Sequence, residues 1–230
     1  MQIIHSSNPV NLTQEVTGTF FRILQTIGEK QSIVTIGLSG GTSLQLFYGN
    51  LRDSFSSVDV KLRKKIRFVF LDERLVPLDH PDSNYRLLSE ILFAPLTEKH
   101  LLSTEQILSI RTDIENSERD YFFRVPSIDI GFFGVGSDGH IASLFPHHRG
   151  LQDKSHGYIL IHDSPKPPSD RISVSVSFTQ KIPLVFVFFI GEGKREAYNR
   201  FFDAGTPKEQ CPAKYLLGCK DCRIVTDLEE

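Results

Sequence analysis

The chain has 230 residues, of which 40% are hydrophobic and 23% are charged. This length and composition can bury one sizeable core, so we expect a single α/β domain spanning residues 1–230. The net charge of −2 at pH 7 creates no strong attraction for nucleic acid or an anionic membrane. The apolar run at residues 184–190 is far shorter than the ~20 residues that span a bilayer. We therefore expect neither nucleic acid nor a membrane as a partner.

The sequence near the two ends of the chain indicates a cytoplasmic protein. Residues 1–7 have neither a basic start nor a long apolar stretch, so we expect no secretory signal. The chain has three cysteines, an odd number that makes a poor disulfide framework: Cys211, Cys219 and Cys222. The last two form a lone C-x-x-C without the second pair of ligands that a zinc site needs. We interpret them as free thiols of a cytoplasmic protein and expect no metal.

Apolar runs of strand length alternate along the chain with segments of helical periodicity. The first element is a helix over residues 12–27, and its inward positions are Val16, Phe20, Ile23 and Leu24. Four strands are predicted at residues 33–38, 66–71, 128–133 and 184–190. Helices follow the first two of these strands, one from about residue 44 and one from about residue 84. This alternation predicts an α/β fold with a mostly parallel, Rossmann-like sheet and helices on both faces.

Two later segments have a different pattern. Residues 171–178 alternate apolar side chains with serines, which predicts a strand with one buried and one polar face. Such a strand is typical of the edge of a sheet and is compatible with antiparallel pairing. Residues 164–169 contain three prolines, which exclude a helix and predict an ordered loop. This loop is where a lid over a binding site is to be sought.

Three polar loops follow three of the predicted strands, at residues 39–43, 72–74 and 134–140. In open α/β sheets, ligands bind at the carboxyl ends of the strands, so we expect these loops to converge. In the first loop, Gly40, Gly41 and Thr42 precede a helix, and their backbone N–H groups are suited to cradle a phosphate. An ordinary tight turn, with Thr42 or Ser43 as the helix cap, explains the same residues equally well.

Several cations are candidates for binding an anion. Asp72 and Arg74 alternate on an extended backbone and can face the same side, where arginine offers a planar fork for phosphate or carboxylate. A surface ion pair is the alternative. Arg171 follows the proline loop. Lys194 begins a helix, where a cation is unfavourable with the helix dipole and therefore indicates an anionic partner; a solvated lysine is the alternative.

Asp138 and His140 are the candidate catalytic pair. A carboxylate beside an imidazole can orient the ring and raise its basicity. The nearby Ser137 and Ser143 do not lie in the G-x-S-x-G elbow of a serine hydrolase. A metal site would need more ligands than this segment offers, and we expect the neighbouring histidines to be exposed.

Taken together, these motifs resemble those of 6-phosphogluconolactonases, within the broader glucosamine-6-phosphate isomerase/6-phosphogluconolactonase superfamily. The similar segments occur in family order over about residues 30–215, at residues 40–43, 71–77, 82–85, 134–146, 167–172, 191–194 and 211–213. The Asp-Gly-His-x-Ala-Ser-Leu-Phe-Pro segment, which begins at Asp138, is the most specific of them. The resemblance implies the NagB/RpiA-like version of the predicted fold.

Two positions separate the branches of this superfamily. The isomerase/deaminase branch typically has a tyrosine where this chain has Arg74 and a glutamate where it has Phe145. The glutamate takes part in ring opening, and the arginine suits an additional anionic contact. Both differences favour the lactonase branch. The alternatives are an amino-sugar-phosphate isomerase/deaminase and a non-catalytic sugar-phosphate sensor.

The resemblance implies hydrolysis of 6-phosphoglucono-δ-lactone to 6-phosphogluconate, in the oxidative pentose phosphate pathway, without a cofactor or metal. His140 would deprotonate water, and Asp138 would either orient His140 or hold a sugar hydroxyl. The phosphate would be held by basic side chains, for which the candidates are Arg74, Arg171 and Lys194. The other candidates for lining the site are Gly40, Gly41, Thr42 and Asp72. The expected partner is the sugar-phosphate lactone, and the expected state is a monomer or weak homo-oligomer.

Stabilisation of the tetrahedral oxyanion would need hydrogen-bond donors. The sequence offers the backbone N–H groups of the turn at residues 134–136, or a nearby cation, for this purpose.

Overall fold

The computed structural model describes residues 1–229. Its ten strands are β1 Gln2–His5, β2 Val34–Leu38, β3 Ile66–Phe70, β4 Asp72–Arg74, β5 Ile107–Leu108, β6 Ile130–Gly134, β7 Tyr158–Ile161, β8 Arg171–Val174, β9 Leu184–Phe189 and β10 Asp221–Thr226. Its α-helices are α1 Pro9–Gly28, α2 Gln45–Ser54, α3 Val60–Arg63, α4 Asn84–Leu88, α5 Ala94–Glu98, α6 Ser117–Arg124, α7 Val176–Thr179 and α8 Arg195–Phe202. A π-helical turn, Ser89–Phe93, joins α4 to α5.

Seven strands form one sheet in the order β1-β10-β9-β6-β2-β3-β5, and every pairing in it is parallel. All six residues of β9 are buried, as expected for a strand covered on both faces of a parallel sheet. The predicted strands correspond to β2, β3, β6 and β9. The prediction of a mostly parallel α/β sheet with helices is therefore confirmed.

The longest helix, α1, forms where periodicity predicts it. The side chain of Asn8 accepts hydrogen bonds from two backbone N–H groups of the first turn, and proline occupies the first position of the helix. The fully buried apolar side chains of this helix are Leu12, Val16, Phe20 and Leu24. Ile23, which was expected to face inward, is only partly buried against the core. No helix in residues 1–229 is both long enough and apolar enough to cross a membrane.

Aromatic rings fix the central strands β6 and β9 to each other and to α2. Phe132 of β6 stacks on Phe186 of β9 with ring centroids 5.0 Å apart. Phe47 of α2 packs on Phe132 at 4.8 Å and on Phe188 at 5.3 Å. Such pairs contribute roughly 0.5–1.5 kcal/mol each beyond the area that they bury. The loop that follows β6 therefore leaves a rigid part of the sheet.

The loop between β2 and α2 differs from its prediction. A short 3-10 helix, Thr42–Leu44, precedes α2, and neither Thr42 nor Ser43 caps a helix with its side chain. The 3-10 turn removes the geometry in which such a cap forms. Gly41 precedes it with φ of +102°, a conformation that L side chains rarely adopt.

A second, antiparallel sheet of three strands has the order β4-β8-β7. The antiparallel pairing of β8 agrees with the alternating pattern of its sequence, but two other expectations are wrong. The strand ends at Val174, before α7, and β8 is the central strand of this sheet instead of an edge.

The serine face of this segment is also buried instead of facing solvent. Ser173 and Ser175 have no exposed surface, because both hydroxyls find partners inside the protein. Ser173 Oγ accepts from the backbone N–H of Ser143 at 3.2 Å, and Ser175 Oγ caps α7 and donates to the carbonyl of Ser155 at 2.7 Å. Hydrogen bonds inside the protein, instead of water, satisfy the hydroxyl groups of these serines.

Candidate active site

A cleft of about 170 Å³ lies where the loops that follow β2, β3, β6 and β9 meet. It brings together every candidate residue except Asp138: Gly40, Gly41, Thr42, Asp72, Arg74, His140, Arg171 and Lys194 line it. Asp138 does not line the cleft but contacts the His140 ring. The loops thus converge at the carboxyl edge of the parallel sheet, where such folds bind ligands.

The imidazole of His140 is oriented by Asp138. His140 Nδ1 lies 2.5 Å from Asp138 Oδ1, a separation that requires a proton between the two atoms. Since the carboxylate is the better acceptor, Nδ1 is the donor and the neutral ring keeps its lone pair on Nε2. Among residues 1–229, Nε2 has no hydrogen-bond partner. The ring also packs on Phe145, with centroids 4.6 Å apart, which fixes its plane.

The surroundings of His140 and Asp138 set the protonation state of each side chain. Burial lowers the pKa of His140 below its ordinary value of 6.5, and this effect outweighs the opposing charge of Asp138. Burial acts to raise the pKa of Asp138, but the hydrogen bond from His140 and the ammonium of Lys166 hold it well below its ordinary value. At neutral pH the carboxyl is therefore ionised and the imidazole is neutral, which is the state that can accept a proton.

The turn that carries the pair requires glycine at position 136. A Cβ on Gly136 would lie 2.0 Å from His140 Nδ1 and 2.5 Å from Asp138 Oδ1. Gly139, in the same turn, has φ of +89°. The glycines of this segment thus allow the backbone to pass directly beneath the carboxylate and the imidazole.

The substitution Gly136→Ala is expected to separate Asp138 from His140 and to destabilise the protein by about 1–3 kcal/mol through overpacking. Urea unfolding measures the loss, and the histidine signals in NMR spectra report the displaced ring. Gly18→Ala is the matched control, because nothing lies within 4 Å of its Cβ position in α1. The control is expected to stabilise the protein by about 0.5–1 kcal/mol. A Gly136→Ala variant with wild-type stability and histidine signals would contradict the close approach.

Two arginines lie side by side on the small sheet. Arg74 of β4 is directly opposite Arg171 of β8, an arrangement that is unfavourable for like charges unless an anion lies between them. Neither guanidinium forms an ion pair with a carboxylate of residues 1–229. Burial lowers the pKa of Arg171; Asp72 opposes this and Arg74 adds to it. The cleft therefore holds two guanidinium groups that have no ion-pair partner within the described residues.

The loop at residues 164–169 holds the buried guanidinium of Arg171. The guanidinium N–H groups of Arg171 donate to the carbonyls of Lys166 at 3.0 Å, Pro167 at 3.1 Å and Pro168 at 3.0 Å. The guanidinium also lies over the ring of Phe145, 5.4 Å from its centroid. These neutral partners fix its position and leave its charge available to a ligand.

Two lysines complete the positive lining of the cleft. Lys194 is half-buried, and burial lowers its pKa, with nearby Lys166 adding to the effect. Its ammonium has no hydrogen bond within residues 1–229. Lys166 was not among the candidates from the sequence, yet it lines the cleft and lies 3.0 Å from Asp138 Oδ2. Its only sequence signal was its place in the proline loop before Arg171.

Asp72 is held by two further residues to which the sequence analysis gave no binding role. Its carboxylate accepts hydrogen bonds from Ser143 Oγ at 2.8 Å and Asn84 Nδ2 at 3.3 Å. Asn84 Oδ1 is buried without a partner among residues 1–229, and a Cβ on Gly40 would lie 2.0 Å from it. Gly40 is therefore required for the loop after β2 to approach this network.

The neighbouring Glu73 has a structural role, because its side chain connects β4 to α4 through hydrogen bonds. Its buried carboxylate accepts hydrogen bonds from the backbone N–H groups of Arg74 at 2.8 Å, Asn84 at 2.7 Å and Tyr85 at 2.7 Å. Burial raises the pKa of Glu73 to about 6, and these hydrogen bonds act in the opposite direction. The side chain fastens β4 to the first turn of α4 and so fixes the residues on either side of it in the strand.

Of the two expected sources of oxyanion donors, the backbone turn at residues 134–136 is contradicted, and a nearby cation stays a prediction. The N–H groups of residues 134–136 are already used: Gly134 donates to Ser39 Oγ at 3.1 Å, Val135 to the carbonyl of Phe188 at 3.1 Å, and Gly136 to the carbonyl of His140 at 2.9 Å. A side chain, the neighbouring strand β9 and the turn itself supply these three acceptors. By contrast, the N–H groups of Gly40 and Gly41 have no acceptor within residues 1–229.

The remaining histidines and cysteines do not form a metal site in the described part of the chain. Residues 1–229 contain no group of three or more His, Cys, Asp or Glu side chains placed to hold a metal ion. His148 contacts the carbonyl of His162 and the carboxylate of Asp163. All three cysteines are buried free thiols, and burial raises the pKa of Cys219 to about 12 and that of Cys222 to about 11.

Known proteins are similar to this chain in sequence and in fold. The family model described as glucosamine-6-phosphate isomerases/6-phosphogluconolactonase matches residues 7–224. The chain belongs to this family. A protein of Borreliella burgdorferi named 6-phosphogluconolactonase is 30% identical over 218 residues, which cover 91% of this chain and 90% of the relative. A Rattus norvegicus protein of the same name is 31% identical over 179 residues, which cover 73% of this chain and 68% of the relative.

Solved structures share the fold of this family member. The 6-phosphogluconolactonase of Thermotoga maritima superposes with a TM-score of 0.82 at 19% identity, and the match covers 98% of each chain. A monomeric glucosamine-6-phosphate deaminase superposes with a TM-score of 0.77 at 16% identity, covering 98% of this chain and 97% of the other. Both named activities thus occur on this fold, so the side chains of the cleft must distinguish them.

Proposed function

We propose that this protein hydrolyses 6-phosphoglucono-δ-lactone to 6-phosphogluconate, with His140 as the general base. The observation that carries the proposal is an oriented, neutral imidazole in the same cleft as the cations Arg74, Arg171 and Lys194. The names of the relatives from Borreliella burgdorferi and Rattus norvegicus support the same reaction. The substrate class is a small sugar lactone with an anionic tail.

In this proposal His140 Nε2 removes a proton from a water molecule as the water oxygen attacks the lactone carbonyl carbon. The resulting tetrahedral intermediate collapses by breaking the bond from that carbon to the ring oxygen. The imidazolium returns its proton to the leaving ring oxygen, and the acid product ionises to a carboxylate. Asp138 stabilises the imidazolium between the two steps through its contact with Nδ1.

The anionic tail is assigned to the arginines and Lys194. A phosphate between Arg74 and Arg171 would offset the repulsion between two guanidinium groups that oppose each other across the small sheet. Lys194 supplies a third cation that has no hydrogen bond in residues 1–229. Asp72, Gly40, Gly41 and Thr42 line the remainder of the cleft, where the sugar would lie.

The oxyanion is assigned to the backbone N–H groups of Gly40 and Gly41. Both residues line the cleft and both N–H groups lack an acceptor in residues 1–229. Fixed backbone donors of this kind are effective because they need no reorganisation as charge develops on the carbonyl oxygen.

The chemistry of the cleft does not support the amino-sugar-phosphate isomerase/deaminase alternative. Phe145 occupies the position at which that branch carries a glutamate, and its fully buried ring is packed between His140 and Arg171. It offers no carboxylate for proton transfer during ring opening.

The test is a hydrolysis assay with 6-phosphoglucono-δ-lactone freshly made from glucose 6-phosphate, with the spontaneous ring opening subtracted. We expect strong acceleration, unchanged by a chelator, much weaker hydrolysis of unphosphorylated glucono-δ-lactone, and no ammonia release from glucosamine 6-phosphate. A catalysed rate no higher than the spontaneous one, or release of ammonia, would refute the proposal.

A further inference from the structure

The ammonium of Lys166 contacts both members of the proposed catalytic pair. Lys166 Nζ lies 3.0 Å from Asp138 Oδ2 and 3.3 Å from His140 Nδ1. Because Nδ1 donates its own proton to Asp138 Oδ1, it has no lone pair for Lys166, and at 3.3 Å the ammonium lies against the neutral ring without a hydrogen bond to it. Lys166 therefore binds the carboxylate oxygen that His140 leaves free: Oδ1 accepts from the ring and the backbone N–H of His140, and Oδ2 contacts Lys166.

Lys166 comes from a loop whose shape is fixed at both ends. The backbone N–H of Ser164 donates to the carbonyl of Ser169 at 3.0 Å, and His162 Nδ1 lies 2.7 Å from Asp170 Oδ1. The carbonyls of this loop also bind Arg171. One short segment thus touches the carboxylate behind the imidazole and the buried arginine of the cleft.

We propose that Lys166 is a positioning residue, whose ammonium holds the Asp138 carboxylate with Oδ1 facing His140 and so couples the loop at residues 164–169 to the general base. The inference rests on the proposed function for its kinetic part. It gives Lys166 a different task from Lys194: Lys194 meets the substrate, whereas Lys166 acts through Asp138.

The charges that face the imidazole make this role measurable. They are Asp138 from its own turn, Asp72 from β4 and Lys166 from the loop. Both carboxylates raise the pKa of His140 and Lys166 lowers it. Removing the ammonium leaves the two negative charges unopposed, so the pKa of His140 rises and more of the imidazole is protonated near neutral pH.

The experiment compares Lys166→Met, Lys166→Arg and Lys194→Met with the wild-type chain. For Lys166→Met we expect kcat to fall by about 10–100-fold, as is usual when the partner that orients a catalytic group is lost. We expect KM to remain nearly unchanged and the acidic limb of the pH–rate profile to move to higher pH. Lys166→Arg keeps the charge and is expected to restore most of kcat. Lys194→Met is expected to raise KM instead.

A second readout does not depend on activity. NMR titration of the His140 imidazole, assigned with His140→Gln, is expected to give a higher pKa in Lys166→Met than in the wild-type chain or in Lys166→Arg. An unmoved pKa, or a Lys166→Met variant that raises KM with kcat unchanged, would overturn the proposal. An inactive wild-type chain that still shows the pKa shift would refute the proposed function alone.

Discussion

His140→Ala is expected to lower kcat for hydrolysis of 6-phosphoglucono-δ-lactone by about 10²–10⁴-fold, the usual contribution of a general base. The reason is that Nε2 of this ring lacks a partner in residues 1–229, lies in the cleft and is kept neutral by burial. The assay must subtract the spontaneous opening of the lactone. His5→Ala, at an exposed position on β1, is the control and is expected to keep the wild-type rate.

The pH profile of the wild-type chain tests the same assignment. Protonation of His140 removes the base, and burial lowers its pKa below 6.5. Activity should therefore persist through neutral pH and decline only at a pH below the ordinary histidine value. An His140→Ala variant with an unchanged catalysed rate would remove His140 from the reaction, whatever the profile.

Arg74→Met is expected to raise KM for the phosphorylated lactone by about 10–100-fold, the loss of a hydrogen bond to a charged group, with little change in kcat. Arg74 lies opposite Arg171, and its Nη1 donates to the carbonyl of Asp82 at 2.5 Å, which holds the side chain at the cleft. Arg74→Lys keeps the charge but loses the planar fork, so an intermediate KM is expected.

Unphosphorylated glucono-δ-lactone is the matched control substrate. If Arg74 binds the phosphate, Arg74→Met will leave the weak hydrolysis of this compound unchanged. The stability of the ligand-free protein is expected to change little, because the substitution removes both the repulsion from Arg171 and the hydrogen bond to the carbonyl of Asp82. An equal loss of kcat/KM for both substrates would show that Arg74 acts on the sugar or on the fold instead of on the phosphate.

The sequence was sufficient for the four middle strands of the parallel sheet, β9, β6, β2 and β3, but not for its outer strands β1, β10 and β5 or for most of the antiparallel sheet. Continuous apolar runs predict the four middle strands because strands buried on both faces must be apolar. Asp72–Arg74 has no such pattern, since β4 is short and its side chains are polar. Its strand character comes from pairing with β8, a contact across roughly 100 residues of chain that no local pattern contains.

The same distinction separates the candidate residues from those that were missed. His140 and Asp138 are two residues apart in a glycine-rich turn, so their proximity can be read locally. Lys166 reaches Asp138 from a loop far along the chain, and its residue type is that of any exposed lysine. The backbone donors of Gly134 and Val135 were misjudged because their acceptors, Ser39 and Phe188, lie in distant parts of the chain, whereas that of Gly136 is used within its own turn.

The imidazole and the two arginines belong to different sheets. His140 follows β6 of the parallel sheet, whereas Arg74 and Arg171 lie on the antiparallel one, joined to β3 through Leu71. Since neither sheet can slide past the other without breaking hydrogen bonds such as that from Val174 N to Leu71 O, the span from His140 to the two arginines is set by the architecture. If the arginines bind the phosphate as proposed, the protein selects substrates by carbon-chain length, and a five-carbon phosphorylated lactone is expected to be hydrolysed less efficiently. A comparison of kcat/KM between the two chain lengths measures this selection directly.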